Sequence, residues 1–172
     1  MSDNGLLAIN EERFMRFMLM AMFFCAHPVF AQSLEIDIKL SPAGSFQATT
    51  KKIKGAAQVS GGQATAEGVL IDLKSLTTGI GLRDKHLKER LNVEKFPMAK
   101  LIKAEGKGGK GTAILEIKGQ KHNVSGTYEV KDGRLKAQFK MKMSDLGIND
   151  VRYMGVGAKD EVTVSIELPT KG

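Results

Sequence analysis

Arg83, Asp84 and His86 fall within the run Arg83-Asp84-Lys85-His86-Leu87-Lys88, and no other stretch of the chain gathers so many groups able to do chemistry. A histidine beside a carboxylate is the raw material of a general base. The sequence places no serine or cysteine next to it for such a base to activate. With His122, Asp84 and His86 make three potential metal ligands, but the two histidines stand far apart at none of the spacings that metal sites use. His122 lies in Gln120-Lys121-His122-Asn123, which reads as a polar connection between strands. The expectation is no catalytic residue, no metal and no cofactor. Asp84 is expected to accept backbone N–H bonds at a helix start and to complement its dipole, with Arg83 bonding carbonyls of the preceding turn. Both, with His86, would sit at one end of the fold, as structural groups or facing a ligand's headgroup.

Gly106-Lys107-Gly108-Gly109-Lys110-Gly111 matches the GxGxxG dinucleotide fingerprint in letters only. A strand follows it and no βαβ unit surrounds it, so it reads as a hairpin turn. Its lysines, with Lys51, Lys52 and Lys54, are too poorly supported by aromatic residues, at 6% of the chain, to suggest a nucleic-acid reader.

The elements that must hold these residues are mostly strands. Apolar residues alternate with polar ones over Leu34 to Leu40, Phe46 to Thr50, Ala64 to Leu73, Ala113 to Ile117, Val124 to Val130, Leu135 to Met143 and Val162 to Leu168, with a weaker strand around Leu101 to Glu105. Asp132-Gly133 marks a tight hairpin. Between Leu73 and Leu101 the period changes: Leu87 and Leu91 are four apart, which is helix spacing. About eight strands, each with one apolar face, need that face covered, and one short helix is too little. An eight-stranded antiparallel sheet closed on itself is just wide enough for side chains or one small ligand. No tryptophan and no cysteine pair supports an immunoglobulin-like sandwich. The fold class is therefore all-β, a single antiparallel eight-stranded barrel with a short helix at one end.

Residues 1–31 are of a different kind. Arg13 and Arg16 precede the apolar run Phe17 to Ala26, and Val29-Phe30-Ala31 offers small residues where a signal peptidase cuts. The run is about ten residues, against roughly 20 needed to span a bilayer. A secretory signal peptide cleaved after Ala31 is expected, leaving residues 32–172 as one domain in the periplasm or outside the cell. Asp3, Glu11 and Glu12 are out of place in a signal's basic start, which points to a true translation start near Met15. Cys25, the only cysteine, leaves with the leader, so neither disulfide nor thiolate chemistry is expected afterwards. Removing the leader's two basic and three acidic residues raises the net charge from +7 to +8. A basic exported domain is drawn to anionic surfaces such as membrane headgroups.

Ser75-Leu76-Thr77-Thr78-Gly79, Arg83-Asp84-Lys85-His86-Leu87-Lys88, Val93-Glu94-Lys95-Phe96-Pro97, Leu115-Glu116-Ile117-Lys118-Gly119, Ser144-Asp145-Leu146-Gly147-Ile148 and Lys159-Asp160-Glu161-Val162 occur in an order that resembles the YceI-like polyisoprenoid-binding family. Two parts of the family pattern are absent. No histidine-serine pair occurs between Leu34 and Thr50, and after the helix there is only Phe96 where the family often has a longer loop with paired phenylalanines.

The resemblance implies an exported, lipocalin-like barrel whose interior holds an isoprenoid chain, quinone-like or polyprenyl, as carrier or reservoir. Burial suits such a ligand, because each methylene contributes roughly 0.8 kcal/mol and the tail has no polar group to satisfy. The inward candidates for that cavity are Val69, Ile71, Leu73, Leu115, Ile117, Tyr128, Phe139, Met141, Val164 and Ile166, with methionine adapting to irregular shapes. The competing expectation is an exported structural or stress-related domain with a filled core, working through its basic surface.

Overall fold

The computed structural model describes residues 32–153 and 155–171; the expected signal peptide lies outside the described residues. Alternating strands account for most of the chain: β1 (Ser33–Ser41), β2 (Ser45–Thr50), β3 (Ile53–Lys54), β4 (Ala57–Ser60), β5 (Gln63–Asp72), β6 (Met98–Lys107), β7 (Lys110–Ile117), β8 (Gln120–Lys131), β9 (Arg134–Lys142), β10 (Arg152–Tyr153) and β11 (Val156–Lys171). The one α-helix among the described residues, α1 (Gly81–Leu91), separates β5 from β6. The GxGxxG stretch is the β6–β7 hairpin, turning on Gly108 and Gly109.

The ring that closes has seven strands, β4-β5-β6-β7-β8-β9-β11, where the sequence suggested eight. Each successive pair is antiparallel except the seam, where Thr170 and Lys171 run parallel to Ala57 and Gln58. β1 pairs with β11 on the edge away from β9, and β2 continues the sheet outward from β1. β4 then takes over that same edge of β11 beyond the point where β1 ends. Four residues of β4 between glycines are too few to show a period, which is why the sequence suggested a different closure.

Inward residues form the core. β9 shows the pattern plainly: Leu135, Ala137, Phe139 and Met141 point in, while Lys136, Lys140 and Lys142 are exposed. On the outer face Lys140 pairs with Glu161 at 2.8 Å and Arg134 with Glu167 at 2.7 Å, joining β9 to β11. Along β5 the inward set changes parity, from Ala64 and Ala66 to Val69 and Ile71. Gly68, at φ 65°, absorbs the change in a backbone conformation that glycine adopts without a Cβ penalty.

α1 is too short to be stable alone and too polar to be a core helix. It is held by its Leu87 and Leu91 and by the following Val93, which belong to the barrel's apolar interior, and it ends at Asn92 in the left-handed conformation. Its start is held by Asp84, though not as expected. The carboxylate accepts nothing from the helix's own first amides. It accepts from the preceding loop: Thr78 N–H at 2.6 Å, Thr78 Oγ1 at 2.6 Å and Thr77 Oγ1 at 2.7 Å. Thr77 in turn exchanges two backbone hydrogen bonds with Thr49 of β2, so the loop is stitched to the sheet.

The Thr78 hydroxyl, chiefly, holds the Asp84 carboxyl below its ordinary value of 3.8. A group of this kind stabilises the fold above its unfolded pKa, and the benefit is lost as pH falls through the lower, folded value. Asp84→Asn is expected to cost about 0.5–1 kcal/mol at neutral pH from the lost charge-assisted bonds, water at the rim screening the rest. In thermal unfolding followed from pH 7 downwards, the wild-type advantage should fade below pH 3.8; an advantage that persisted unchanged in acid would rule this tie out.

Candidate functional site

The barrel encloses an apolar cavity of about 200 Å³. It is bounded at the helix end by Ile71, Leu73, Leu76, Leu87, Leu91 and Leu146, and its lining reaches Leu34, Ala64, Tyr128, Leu135 and Leu168 towards the other end. A cavity of about 150 Å³ lined by Leu, Ile and Phe stays dry and accepts benzene. One of this size and lining favours an apolar occupant over water.

Part of the wall has no side chains. Gly106 of β6 pairs with Gly111 of β7, Gly111 pairs with Gly126 of β8, and Gly126 pairs with Phe139 of β9, all in one row. The three glycines line the cavity. A Cβ on Gly106 would collide with the Tyr128 ring, and one on Gly126 with the Gln138 carbonyl. Ala104 and Ala113, cross-strand partners on β6 and β7, keep the next row small as well.

The helix end is closed by two pieces. One is Leu73–Ser75, a 3-10 turn, together with α1; the other is a 3-10 turn at Ser144–Leu146, followed by the buried Ile148. Asp160 of β11 fixes the second piece by accepting from the Ser144 N–H at 2.7 Å and its Oγ at 2.8 Å. The Ser144 hydroxyl is the main reason that the Asp160 carboxyl sits below its ordinary range. Lys118, in the β7–β8 turn, joins the two pieces, since its Nζ donates to the Arg90 carbonyl at 3.2 Å and to the Leu146 carbonyl at 2.8 Å.

Of the ten apolar positions singled out from the sequence, nine line this cavity: Ile71, Leu73, Leu115, Ile117, Tyr128, Phe139, Met141, Val164 and Ile166. Val69 does not. It is completely buried beneath Gly55, whose backbone passes so close that a Cβ there would lie 2.8 Å from Val69 Cγ2. Leu87, Leu91, Leu146 and Ile148 went unassigned to the cavity, although motifs containing three of them carried the family resemblance.

The charged trio does not converge. The Arg83 guanidinium lies 4.2 Å from the centroid of the Phe46 ring on β2, where the sequence suggested bonds to turn carbonyls. Asp84 is engaged with Thr77 and Thr78. His86 is exposed on the outer side of α1. Among the described residues no three of histidine, cysteine, aspartate and glutamate gather where they could hold a metal ion. His122 lies within β8, opposite Leu115, and not in a connection between strands.

Comparison with curated proteins finds no match. Among solved structures, Burkholderia cenocepacia BcnA is similar over 80% of this chain and 94% of its own, with a TM-score of 0.59 and 16% identity. A polyisoprenoid binding domain from Saccharophagus degradans, implicated in plant cell wall breakdown, is similar over 80% and 92%, with a TM-score of 0.51 and 15% identity. At these identities the likeness is one of fold. The model of the YceI-like domain matches residues 30–170, nearly the whole of the barrel and its end pieces, and the chain therefore belongs to the YceI-like family.

Proposed function

We propose that this protein is exported and holds an isoprenoid chain, quinone-like or polyprenyl, inside its barrel as a carrier or reservoir. The apolar cavity carries this reading. It offers burial along a continuous hydrophobic lining, which is what a long hydrocarbon tail needs and what a charged or strongly polar substrate would be refused. The similar domain from Saccharophagus degradans is described as polyisoprenoid binding, which supports the same ligand class. An unfilled interior weighs against the alternative of a packed structural domain. Binding of this kind makes and breaks no covalent bond, and the reading gives Arg83, Asp84 and His86 no part in a reaction.

Loading from a membrane fits the surface. Ile80 and Leu82, at the start of α1, are 51% and 58% exposed. They stand beside Arg83 and Lys85, a pairing of apolar and basic groups suited to an anionic lipid interface.

Lipid extraction of the natively purified protein followed by mass spectrometry should return a prenyl lipid in near-stoichiometric amount; an empty protein that also ignores added quinone would sink the carrier reading. Ala113→Leu adds volume to the row of small residues and is expected to reduce the lipid load several-fold at an overpacking cost of about 1–3 kcal/mol. Flotation with vesicles should show binding to anionic, and not to zwitterionic, bilayers, weakened by salt and by Leu82→Asp. Sequencing of the exported protein should begin at Gln32, and a chain retaining Met1 would end the export proposal.

A further inference from the structure

We propose that His122 is the group that grips the polar end of the ligand. This inference rests on the isoprenoid reading and adds to it an orientation and a chemical class.

The inward positions of β8 are His122, Val124, Gly126 and Tyr128. The last three line the cavity, as does Leu115, which faces His122 across the β7–β8 pair. His122 is thus the next inward position towards the helix end, one step beyond the β8 residues that line the cavity and not itself part of that lining. Its Nε2 is sealed from solvent and has no hydrogen-bond partner; among the described residues only Gln32 Oε1 shares that condition. Leaving a buried polar atom unmatched costs about 1–3 kcal/mol, a cost that leucine or valine at the same place would not carry. A ligand that brings its own oxygen to Nε2 removes the cost. Among the described residues, no other side-chain nitrogen or oxygen at this end is both sealed from solvent and without a partner.

The class of that oxygen follows from the charges around it. An imidazole Nε2 donates or accepts according to tautomer, so it suits a hydroxyl or a carbonyl. A diphosphate would require cations to gather around it. The nearby Lys118 is turned to the Arg90 and Leu146 carbonyls, and Lys121 is exposed on the outer face of β8. The polar end is therefore uncharged, a prenyl alcohol or a prenyl quinone. It lies at the helix end, with the tail running towards Tyr128 and Leu135.

Calorimetry with two probes of equal chain length separates the possibilities: farnesol, which carries a hydroxyl, and farnesene, which does not. The wild-type protein should prefer farnesol. His122→Leu should weaken farnesol about five- to tenfold, the worth of one hydrogen bond, leave farnesene within about twofold, and leave the empty protein at least as heat-stable. His122→Gln, which keeps a donor and an acceptor, should retain part of the preference. Equal losses for both probes, an unchanged affinity for farnesol, or a less stable empty His122→Leu protein would each overturn the role of His122 while leaving the carrier intact. A wild-type protein that binds neither probe would overturn both.

Discussion

The last strand carries the closure of the whole barrel. Ile166 of β11 pairs with Leu34 on one side and Ala137 on the other, and the same double pairing extends along Val162 to Glu167. Beyond it, Thr170 and Lys171 reach β4 and complete the ring. Sixteen residues of one strand thus hold four neighbours together, β1, β4, β9 and the short β10. Until they are in place, β4 to β9 form an open sheet with unpaired edges, and pairings this distant in sequence are the slow part of folding. The joint to β4, only two residue pairs long, is the shortest in the ring, which makes it the place where the wall has least holding it shut.

The interior and the helix end are stabilised by different physics. The interior is hydrophobic burial that leaves a void, and the loss of contacts around that void is accepted in exchange for space. The end pieces are fixed by a few polar ties between segments distant in sequence: Asp84 to Thr77 and Thr78, Asp160 to Ser144, and Lys118 to two carbonyls. These sit at the rim, where water screens them and each contributes little alone. Apolar residues set what the barrel can contain. The polar ties set how its end is shaped.

The sequence made much of this readable. β9 was plain because its lysines mark the outer face so regularly, and nine of the cavity positions followed from alternation within single strands. The failures lie where a residue's neighbour is remote in the chain. Val69 has the right parity, but Gly55 covers it from a segment with no visible period. Arg83 meets Phe46, which nothing local to the helix could suggest. The seven-strand ring depends on four residues of β4 and the tail of β11, both too slight to announce themselves. His122 was obscured differently: its polar neighbours outweighed the one fact that mattered, that it keeps the inward parity of Val124.

Lys118 gives the helix end an unusual economy. Arg90 closes one half of the cap and Leu146 belongs to the other, and both carbonyls accept hydrogen bonds from a single ammonium. The halves are consequently coupled as one latch: when the lysine lets go of either, the remaining bond must hold a side chain that has already regained its freedom. A change that displaces either carbonyl is therefore felt on both sides of the cap.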